Sequence, residues 1–325
     1  MEYRVTILNK KQIIQTAAGV TLGVGALYMG TGAFFHSVLL SKYSVNRKTS
    51  IRQLTAEEIA RVQKGTVPKD DTDAWYVTNK SEMSLVSLRG ERLHADVIMQ
   101  GEHSHKWIII GHGWTNHPQG MSNFARVFYD MGFNVLLPFS GGHGRSEKKI
   151  VSMGWDDRLD WLDWINYITL LYPDAIFALH GVSMGAATVM MTAGEELPSN
   201  VKCAIEDCGF TTLPDMGSSI VESSMHLPPW FFISAARTYT RLVDGMDIND
   251  VSPVDQIRKC KIPMLFIHGE KDSFVPFRMM DVLYDTAKCE KQKLAVPGAD
   301  HTESCHKHPE LYWPAVSEFL NKYVK

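Results

Sequence analysis

The stretch LHGVSMGA, residues 179–186, decides the fold of this 325-residue chain. It follows a short apolar run typical of a buried strand and precedes a longer run typical of a helix. Gly181, Ser183 and Gly185 form the pattern G-x-S-x-G, which places the serine on a sharp turn between strand and helix. The two glycines remove side chains that would collide in such a turn. Ser183 is therefore the candidate nucleophile, with its hydroxyl projecting freely.

A serine hydroxyl is a weak nucleophile unless a base takes its proton, and that base needs an acid to orient it. Asp272 lies a few residues after the next-to-last predicted strand, and His301 follows the last one. Because the carboxyl ends of parallel strands meet at one edge of a sheet, we expect Ser183, His301 and Asp272 to meet there. The order Ser, Asp, His along the chain is that of α/β hydrolases.

Other interpretations of these loops stay open. Asp207, after the preceding strand, is the alternative orienting acid. His301 is followed by Cys305, His306 and His308, which resemble a metal cluster superficially, but their spacing matches no familiar closed zinc site. The sequence therefore predicts no metal and no cofactor.

Two backbone N–H groups are expected to stabilise negative charge on the reacting carbonyl. One belongs to Met184, at the start of the helix, where the helix dipole favours an anion. The other should come from the loop after the third strand. There Gly113 lets the backbone approach closely, and Trp114 is the predicted donor. The side chain of His112 is expected to make structural hydrogen bonds rather than to carry a proton.

Short apolar runs alternate with amphipathic helices over residues 81–325. This alternation predicts an α/β fold with a mostly parallel, eight-stranded sheet that helices cover on both faces. The first two strands form a hairpin, which suggests an antiparallel edge. Between about residues 211 and 260 the alternation stops, and an apolar insertion predicts a helical lid over the site. A pair of packing helices without a gating role is the alternative.

The chain from about residue 80 onward resembles the α/β-hydrolase superfamily. It is most similar to the serine hydrolase branch that includes monoglyceride lipases, serine aminopeptidases and membrane-anchored bacterial hydrolases. The matching pieces are residues 112–114, 140–146 and 154–160, the serine turn, Asp272 and His301. The resemblance implies that the loop around residues 142–146 lies beside the active site. Many relatives begin that loop with Asp or Arg where this chain has Ser-Gly, so their substrate preference does not carry over. The candidate substrate-lining residues are His112, Gly113, His143, Trp230 and Phe231.

Composition excludes several classes of protein. Hydrophobic residues make up 45% and charged residues 21% of the chain, which excludes a disordered protein. The net charge of −3 gives no basic footprint for nucleic acid. Five cysteines occur without a C-x-x-C pair, so neither a zinc ribbon nor a disulfide scaffold is indicated.

The N-terminal part has a composition of its own. Residues 12–41 contain no Asp, Glu, Lys or Arg, and this stretch exceeds the roughly 20 residues that cross a bilayer core. An uncleaved single-span anchor, a signal peptide and a buried core helix all compete. We favour the anchor because the apolar run continues past the small residues 30–33 that would serve as a cleavage site. Gly19 and Gly23 have the spacing of closely packed membrane helices, but glycine is common in such helices, so a homo-oligomer stays open.

The orientation of the predicted anchor is weakly determined. Basic residues nearly balance across its two ends. The short N-terminal flank favours a catalytic domain outside the cytoplasm, whereas unpaired cysteines favour a reducing compartment. The predicted organisation is an anchor over residues 1–45, a connecting segment over 46–80 and a hydrolase domain over 81–325. A short helix from Thr55 to Lys64, capped by Thr55 and Glu58, is expected within the connection.

The sequence thus predicts a membrane-tethered serine hydrolase. Its apolar lid favours carboxylic esters of small or medium acyl chain, cleaved through an acyl-serine intermediate. A serine peptidase or amidase acting on short peptides is the alternative enzyme. A non-catalytic ligand-binding protein is the alternative outside enzymes, because fold alone does not fix function. The expected partners are a small acyl substrate and the lipid bilayer, and no nucleic acid.

Overall fold

The computed structural model describes residues 10–48, 55, 58, 71–101, 104–226 and 228–325. Most of the helix predicted from Thr55 to Lys64 lies outside these residues. Its capping pair is described: Thr55 N–H donates to Glu58 Oε2 at 2.7 Å, and Glu58 N–H donates to Thr55 Oγ1 at 3.2 Å. This reciprocal pair is the predicted capping box.

An eight-stranded sheet forms the centre of the described structure. Its strands are β1 (Ser81–Val86), β2 (Arg92–Ile98), β3 (Lys106–Gly111), β4 (Asn134–Pro138), β5 (Ile176–Val182), β6 (Val201–Asp207), β7 (Met264–Gly269) and β8 (Lys291–Val296). Their order across the sheet is β1-β2-β4-β3-β5-β6-β7-β8. β2 pairs antiparallel with both β1 and β4, and the remaining pairs are parallel. The predicted fold class is confirmed.

The helices of the described residues are α1 (Lys10–Phe35), α2 (Lys42–Lys48), α3 (Thr72–Asn79), α4 (Ser122–Asp130), α5 (Asp157–Leu171), α6 (Met184–Ala193), α7 (Leu213–Met225), α8 (Pro229–Val243), α9 (Pro253–Ile257), α10 (Arg278–Thr286), α11 (Ser304–Lys307) and α12 (Pro309–Tyr323). A π-helical turn (His36–Leu40) follows α1, and 3-10 turns occupy Pro118–Met121 and Ile248–Asp250.

Helices cover both faces of the sheet. In β3, Ile108 and Ile110 pack on one face with α4 and α12. Trp107 and Ile109 pack on the other face with α5 and α6. Because successive strand residues point to opposite faces, an apolar strand buried on both sides needs such a double layer.

The insertion between β6 and β7 folds as α7, α8, a 3-10 turn and α9. Thr212 caps α7 by accepting the N–H of Asp215 at 3.0 Å, and Pro229 begins α8 at a position where its missing N–H is harmless. Leu213 of α7 and Ala236 of α8 are buried in a third apolar cluster, which also contains residues of α6 and α10. The insertion expected over about residues 211–260 thus packs against the domain.

The end of the N-terminal helix is built into the same cluster. Leu40 and Val45 are buried there beside Val151. Val151 N–H donates to Leu40 O at 2.8 Å, and Lys42 N–H donates to Lys149 O at 3.2 Å. Residues 36–46, called the junction segment below, are therefore part of the packed domain. A boundary between anchor and domain at residue 45 would cut through this core.

The connecting segment proposed over residues 46–80 also ends in folded structure. Tyr76 of α3 is buried, and its hydroxyl donates to Asp96 Oδ2 at 2.7 Å. Lys80 Nζ lies 2.8 Å from the same oxygen. The apolar residues 74–77, within an otherwise polar stretch, are the sequence signal for this packed helix.

One helical stretch among the described residues, Thr21–Leu40, is long and apolar enough to cross a membrane, with a mean hydropathy of 1.3. Signal sequences meet the same criterion.

Candidate active site

Ser183 occupies a strained turn between β5 and α6. Its φ of 58° and ψ of −114° lie outside the regions that side-chain-bearing residues favour. A Cβ on Gly181 would come within 2.2 Å of Gly185 O, and a Cβ on Gly185 within 2.2 Å of Gly111 O. Only glycine fits at these two positions, which explains the G-x-S-x-G spacing in physical terms.

The structure brings Ser183, His301 and Asp272 together in one hydrogen-bonded line. Ser183 Oγ lies 2.9 Å from His301 Nε2, and His301 Nδ1 lies 2.7 Å from Asp272 Oδ2. Asp272 is in the loop after β7 and His301 in the loop after β8. Since β5, β6, β7 and β8 are parallel neighbours, their carboxyl ends share one edge, and the three loops meet there.

The carboxyl group of Asp272 is buried and densely hydrogen-bonded. Its Oδ1 accepts the N–H groups of Phe274 at 2.9 Å and Val275 at 2.8 Å, and His268 Nε2 lies 3.2 Å from Oδ2. Burial opposes ionisation, but the hydrogen bonds from His268 and His301 outweigh it and lower the pKa of Asp272 to about 2. The carboxylate is therefore charged at neutral pH and able to stabilise a protonated His301.

Asp207, the alternative acid, is also buried at the end of β6. Burial raises the pKa of Asp207 to about 6. Nδ1 of His301 is hydrogen-bonded to Asp272 and not to Asp207. The backbone of Asp207 has a different role, because its carbonyl accepts the N–H of Ser183 at 2.8 Å and supports the serine turn.

The two residues predicted to supply oxyanion donors lie near Ser183. Met184 is the first residue of α6, and the first N–H groups of a helix have no acceptor inside it. Trp114 lines the cleft next to Ser183, and its indole Nε1–H donates to Leu39 O in the junction segment at 2.9 Å. A Cβ on Gly113 would meet Ser183 Cβ at 3.6 Å, an ordinary contact. Sterics at this loop therefore do not demand glycine.

Four of the five candidate substrate-lining residues lie outside the cleft that opens at Ser183, and these are His112, His143, Trp230 and Phe231. His112 is fully buried, with Nδ1 2.9 Å from Gly113 O and Nε2 accepting Ser140 N–H at 3.2 Å. His143 is also buried, and Nδ1 lies 2.9 Å from Gly141 O. Burial lowers the pKa of both histidines. They tie two loops together instead of facing substrate.

Trp230 and Phe231, at the start of α8, likewise do not line the cleft. Trp230 is 72% exposed, and the ring of Phe231 packs edge-on against Tyr28 of α1 with centroids 5.6 Å apart. The expectation that they face the substrate is corrected: this end of the insertion faces the N-terminal helix.

A cleft of about 510 Å³ opens at Ser183 and His301. It is lined by Gly113, Trp114, Thr115, Asn116, Gly120, Met121, Asn123, Phe124, Val182, Ser183, Phe274, His301, Thr302, Glu303 and His306. Most of the polar groups beyond the predicted site come from just two loops, those after β3 and β8. The sequence does not reveal these lining residues, because nothing in the residue types separates a side chain that lines a cleft from a solvent-exposed one.

The ligand atoms of Cys208, Asp272 and His301 lie within 4.8 Å of one another, the arrangement closest to a metal site in the described residues. Asp272 and His301 are hydrogen-bonded to each other, and burial raises the pKa of the Cys208 thiol well above its usual value. A protonated thiol is a poor ligand. The residues that resemble a metal cluster after His301 have different environments. His308 Nδ1 lies 2.8 Å from Glu310 Oε1, whereas Cys305 is buried.

Comparison with known proteins agrees with this architecture. A family model described as the alpha/beta hydrolase fold matches residues 106–252. The chain has the alpha/beta hydrolase fold. In this fold Ser183 follows β5, Asp272 follows β7 and His301 follows β8.

Several known proteins are similar to this chain in sequence or in structure. The uncharacterized protein YqkD of Bacillus subtilis (strain 168) is 29% identical over 219 residues, 66% of this chain and 70% of YqkD. Esterase Pf2001 of Pyrococcus furiosus matches 85% of this chain and 97% of its own, with a TM-score of 0.63 and 20% identity. Acylaminoacyl peptidase of Pyrococcus horikoshii matches 76% of this chain and 42% of its own, with a TM-score of 0.57 and 18% identity. The superfamily resemblance is confirmed, and the monoglyceride lipase and aminopeptidase-like branch stays a prediction.

Proposed function

We propose that this protein is a serine hydrolase that cleaves carboxylic esters through an acyl-serine intermediate. The observation that carries the proposal is the hydrogen-bonded line from Ser183 Oγ through His301 to Asp272, which opens on a cleft. The cleft volume of about 510 Å³ lies within the range of roughly 300–1,000 Å³ typical of small-molecule pockets.

The geometry supports a two-step reaction. Ser183 Oγ bonds to the carbonyl carbon while His301 Nε2 takes the hydroxyl proton, and the imidazolium then gives that proton to the leaving alkoxide. The carbon–oxygen bond of the ester breaks, leaving the acyl group on Ser183. Water, deprotonated by His301, attacks this acyl-serine and releases the acid, and the proton returns to Ser183. Asp272 holds the ring and stabilises its cation throughout.

The backbone N–H groups of Met184 and Trp114 are the proposed donors to the oxyanion. Each donor of this kind contributes roughly 2.7–4 kcal/mol of transition-state stabilisation in a comparable enzyme. The start of α6 adds a dipole of favourable sign at the same place.

A peptidase or amidase that acts on aminoacyl substrates is the second candidate, and one observation favours it. Glu303 brings a carboxylate to the rim of the cleft that contains Ser183. A carboxylate there can pair with the free ammonium group of an aminoacyl substrate.

We further propose that α1 is a single-span anchor and that the catalytic domain lies outside the cytoplasm. The length and mean hydropathy of Thr21–Leu40 support the anchor. Unpaired cysteines favour a reducing compartment, but most of the cysteines here are weak evidence against this orientation because they are buried. Cys203, Cys208, Cys260 and Cys305 are buried thiols, and burial protects them from oxidation.

One plate of substrates tests the enzymatic proposal. Full-length protein is assayed with p-nitrophenyl esters of graded acyl length beside aminoacyl anilides, with Ser183→Ala as the control. We expect turnover of short and medium esters that Ser183→Ala abolishes. Turnover of anilides alone would favour the peptidase, and ester turnover that persists in Ser183→Ala would contradict the assignment of the nucleophile.

A further inference from the structure

Helices α1 and α8 lie side by side and run in the same direction. The hydroxyl of Tyr28 lies 2.6 Å from Ser234 Oγ and 2.9 Å from Thr238 Oγ1. One turn further along, Gly32 touches α8 so closely that a Cβ there would come within 2.4 Å of Ala235 O. The same Cβ would come within 2.6 Å of Tyr239 Cβ, and two turns beyond Tyr28 the ring of His36 lies 2.8 Å from Asp244 Oδ2. Residue numbers therefore increase together along the two helices. Because Tyr28 also packs on Phe231, its contacts on α8 centre on the level of Ser234.

This packing leaves only part of α1 free to cross a bilayer. α8 begins at Pro229, five residues before Ser234, so its first turn reaches about 7.5 Å beyond Tyr28, to roughly the level of Gly23. From Lys10, one of the basic residues before the apolar stretch, to Gly23, α1 measures about 21 Å. The hydrocarbon core of a bilayer is about 30 Å thick. A bilayer that α1 crosses must therefore extend past the level of Pro229.

The start of α8 has an uncharged, apolar composition, as a segment inside the hydrocarbon core of a bilayer requires. Residues 225–236 contain no Asp, Glu, Lys or Arg. Trp230 is 72% exposed and Met225, at the end of α7, is 43% exposed, while Leu27 of α1 is 65% exposed. Tryptophan is enriched where proteins meet the boundary between water and lipid. Large apolar side chains on two neighbouring helix ends thus lie at the level that the length of α1 assigns to lipid.

We propose that the start of α8 and the end of α7 are immersed in the lipid bilayer beside α1. This inference rests on the anchor role proposed for α1. The surface consists of Leu27, Met225, Trp230 and Phe231, and its partner is the acyl-chain region of phospholipids. The insertion then contacts lipid at one end, while its other parts pack on the hydrolase core. Lipid-soluble esters would reach the domain beside this insertion.

The experiment places a polarity-sensitive NBD label at each end of α8 in full-length protein reconstituted into phosphatidylcholine vesicles. Trp230→Cys carries the label at the start of the helix, and Leu242→Cys is the matched control. The two native side chains are 72% and 70% exposed, but position 242 lies about 18 Å further along the helix. Both variants carry Cys289→Ser, because the other native thiols are buried. Met225→Cys repeats the test if Trp230→Cys does not fold.

We expect the label at position 230 to emit at shorter wavelength and to lose intensity when the lipid acyl chains carry bromine, whereas position 242 does neither. Vesicle flotation of the same samples separates the two claims. If the protein floats and position 230 behaves like position 242, the immersion is wrong and the anchor stands. If the protein does not float, both are wrong. A blue shift at position 230 that brominated lipid does not quench would assign the surface to a protein partner and overturn the inference.

Discussion

The proposed catalytic site, at the carboxyl ends of the parallel strands, and the junction segment are fixed in place by different kinds of interaction. Ser183, Asp272 and His301 each lie in a short loop with a local sequence pattern, and parallel strands bring the loops to one edge. The junction segment has no such pattern. It is fixed by contacts far along the chain, from Leu40 to Val151 and from Leu39 to Trp114. The residues of the proposed site can therefore be recognised from local sequence patterns. The attachment of the N-terminal helix depends on tertiary packing, which such patterns do not show.

The indole of Trp114 links the two regions, because its backbone belongs to the proposed oxyanion loop and its side chain is hydrogen-bonded to the junction segment. The junction segment therefore contacts the loop that contains Trp114. The following predictions test how far the two regions are separate.

The largest effect is expected at the acid. Asp272→Asn should lower kcat for ester turnover by about 10⁴-fold, because the neutral amide favours the wrong tautomer of His301 and no longer stabilises its cation. Asp207 is also a buried carboxyl group, but it is not hydrogen-bonded to the His301 ring. Asp207→Asn should therefore leave kcat within about tenfold of the wild-type value. Steady-state kinetics of both variants decide the matter, and the reverse ranking would move the acid to the end of β6.

The junction segment should contribute chiefly to stability. Leu40→Ala should lower the free energy of unfolding by about 2–5 kcal/mol, as large-to-small changes in a packed core do. Leu22→Ala is the matched control, because Leu22 of α1 is 75% exposed, and it should change stability by less than about 0.5 kcal/mol. Denaturant titration in detergent measures both. Equal effects would mean that residues 36–46 are a loose connection.

The link through Trp114 should affect catalysis modestly. Trp114→Phe removes the hydrogen bond to Leu39 O, which is worth roughly 0.5–1.5 kcal/mol, and should lower kcat about threefold to tenfold with KM unchanged. Trp155→Phe makes the same change in a side chain packed on the same apolar cluster and should leave kcat near the wild-type value. If kcat fell by the same factor in Trp155→Phe, the effect of Trp114→Phe would come from lost packing and not from the lost hydrogen bond.

The last prediction concerns a buried carboxyl group near the end of β6. Glu206 is fully buried, and burial raises its pKa to about 8 although the charge of His268 opposes this shift. Between about pH 4.3 and the folded value, the unfolded chain releases a proton that the folded chain retains, so this group makes stability fall as pH rises. Glu206→Gln should therefore have a Tm advantage over the wild type that grows from pH 5 to pH 8. Parallel Tm curves would contradict a buried neutral Glu206.

Local chemistry explains what the sequence could predict. The serine turn, the alternating strands and the loops carrying Asp272 and His301 follow from residue type and spacing, and the structure places them as expected. Apolar residues in an insertion suggest a lid and predict that Trp230 and Phe231 face the substrate, yet Phe231 packs on Tyr28 of α1 and Trp230 is 72% exposed. Such pairings between distant segments leave no periodic trace in a single sequence.

For the same reason, the sequence does not predict that the junction segment is packed into the domain. An apolar residue in a membrane-like stretch looks identical whether it faces lipid, as proposed for Leu27, or a protein core, as Leu40 does. The buried histidines His112 and His143 also carry no mark that separates a residue joining two loops from one facing substrate. Only the packed structure distinguishes these environments.

The central claim is that Ser183 is the nucleophile of a serine hydrolase. Full-length protein is treated with a fluorophosphonate probe, and its intact mass and peptide map are measured beside Ser183→Ala and His301→Ala. We predict one adduct per chain, located on the peptide that contains Ser183, absent from Ser183→Ala and strongly slowed in His301→Ala. An adduct on any other residue, or equal labelling of Ser183→Ala, would contradict the account.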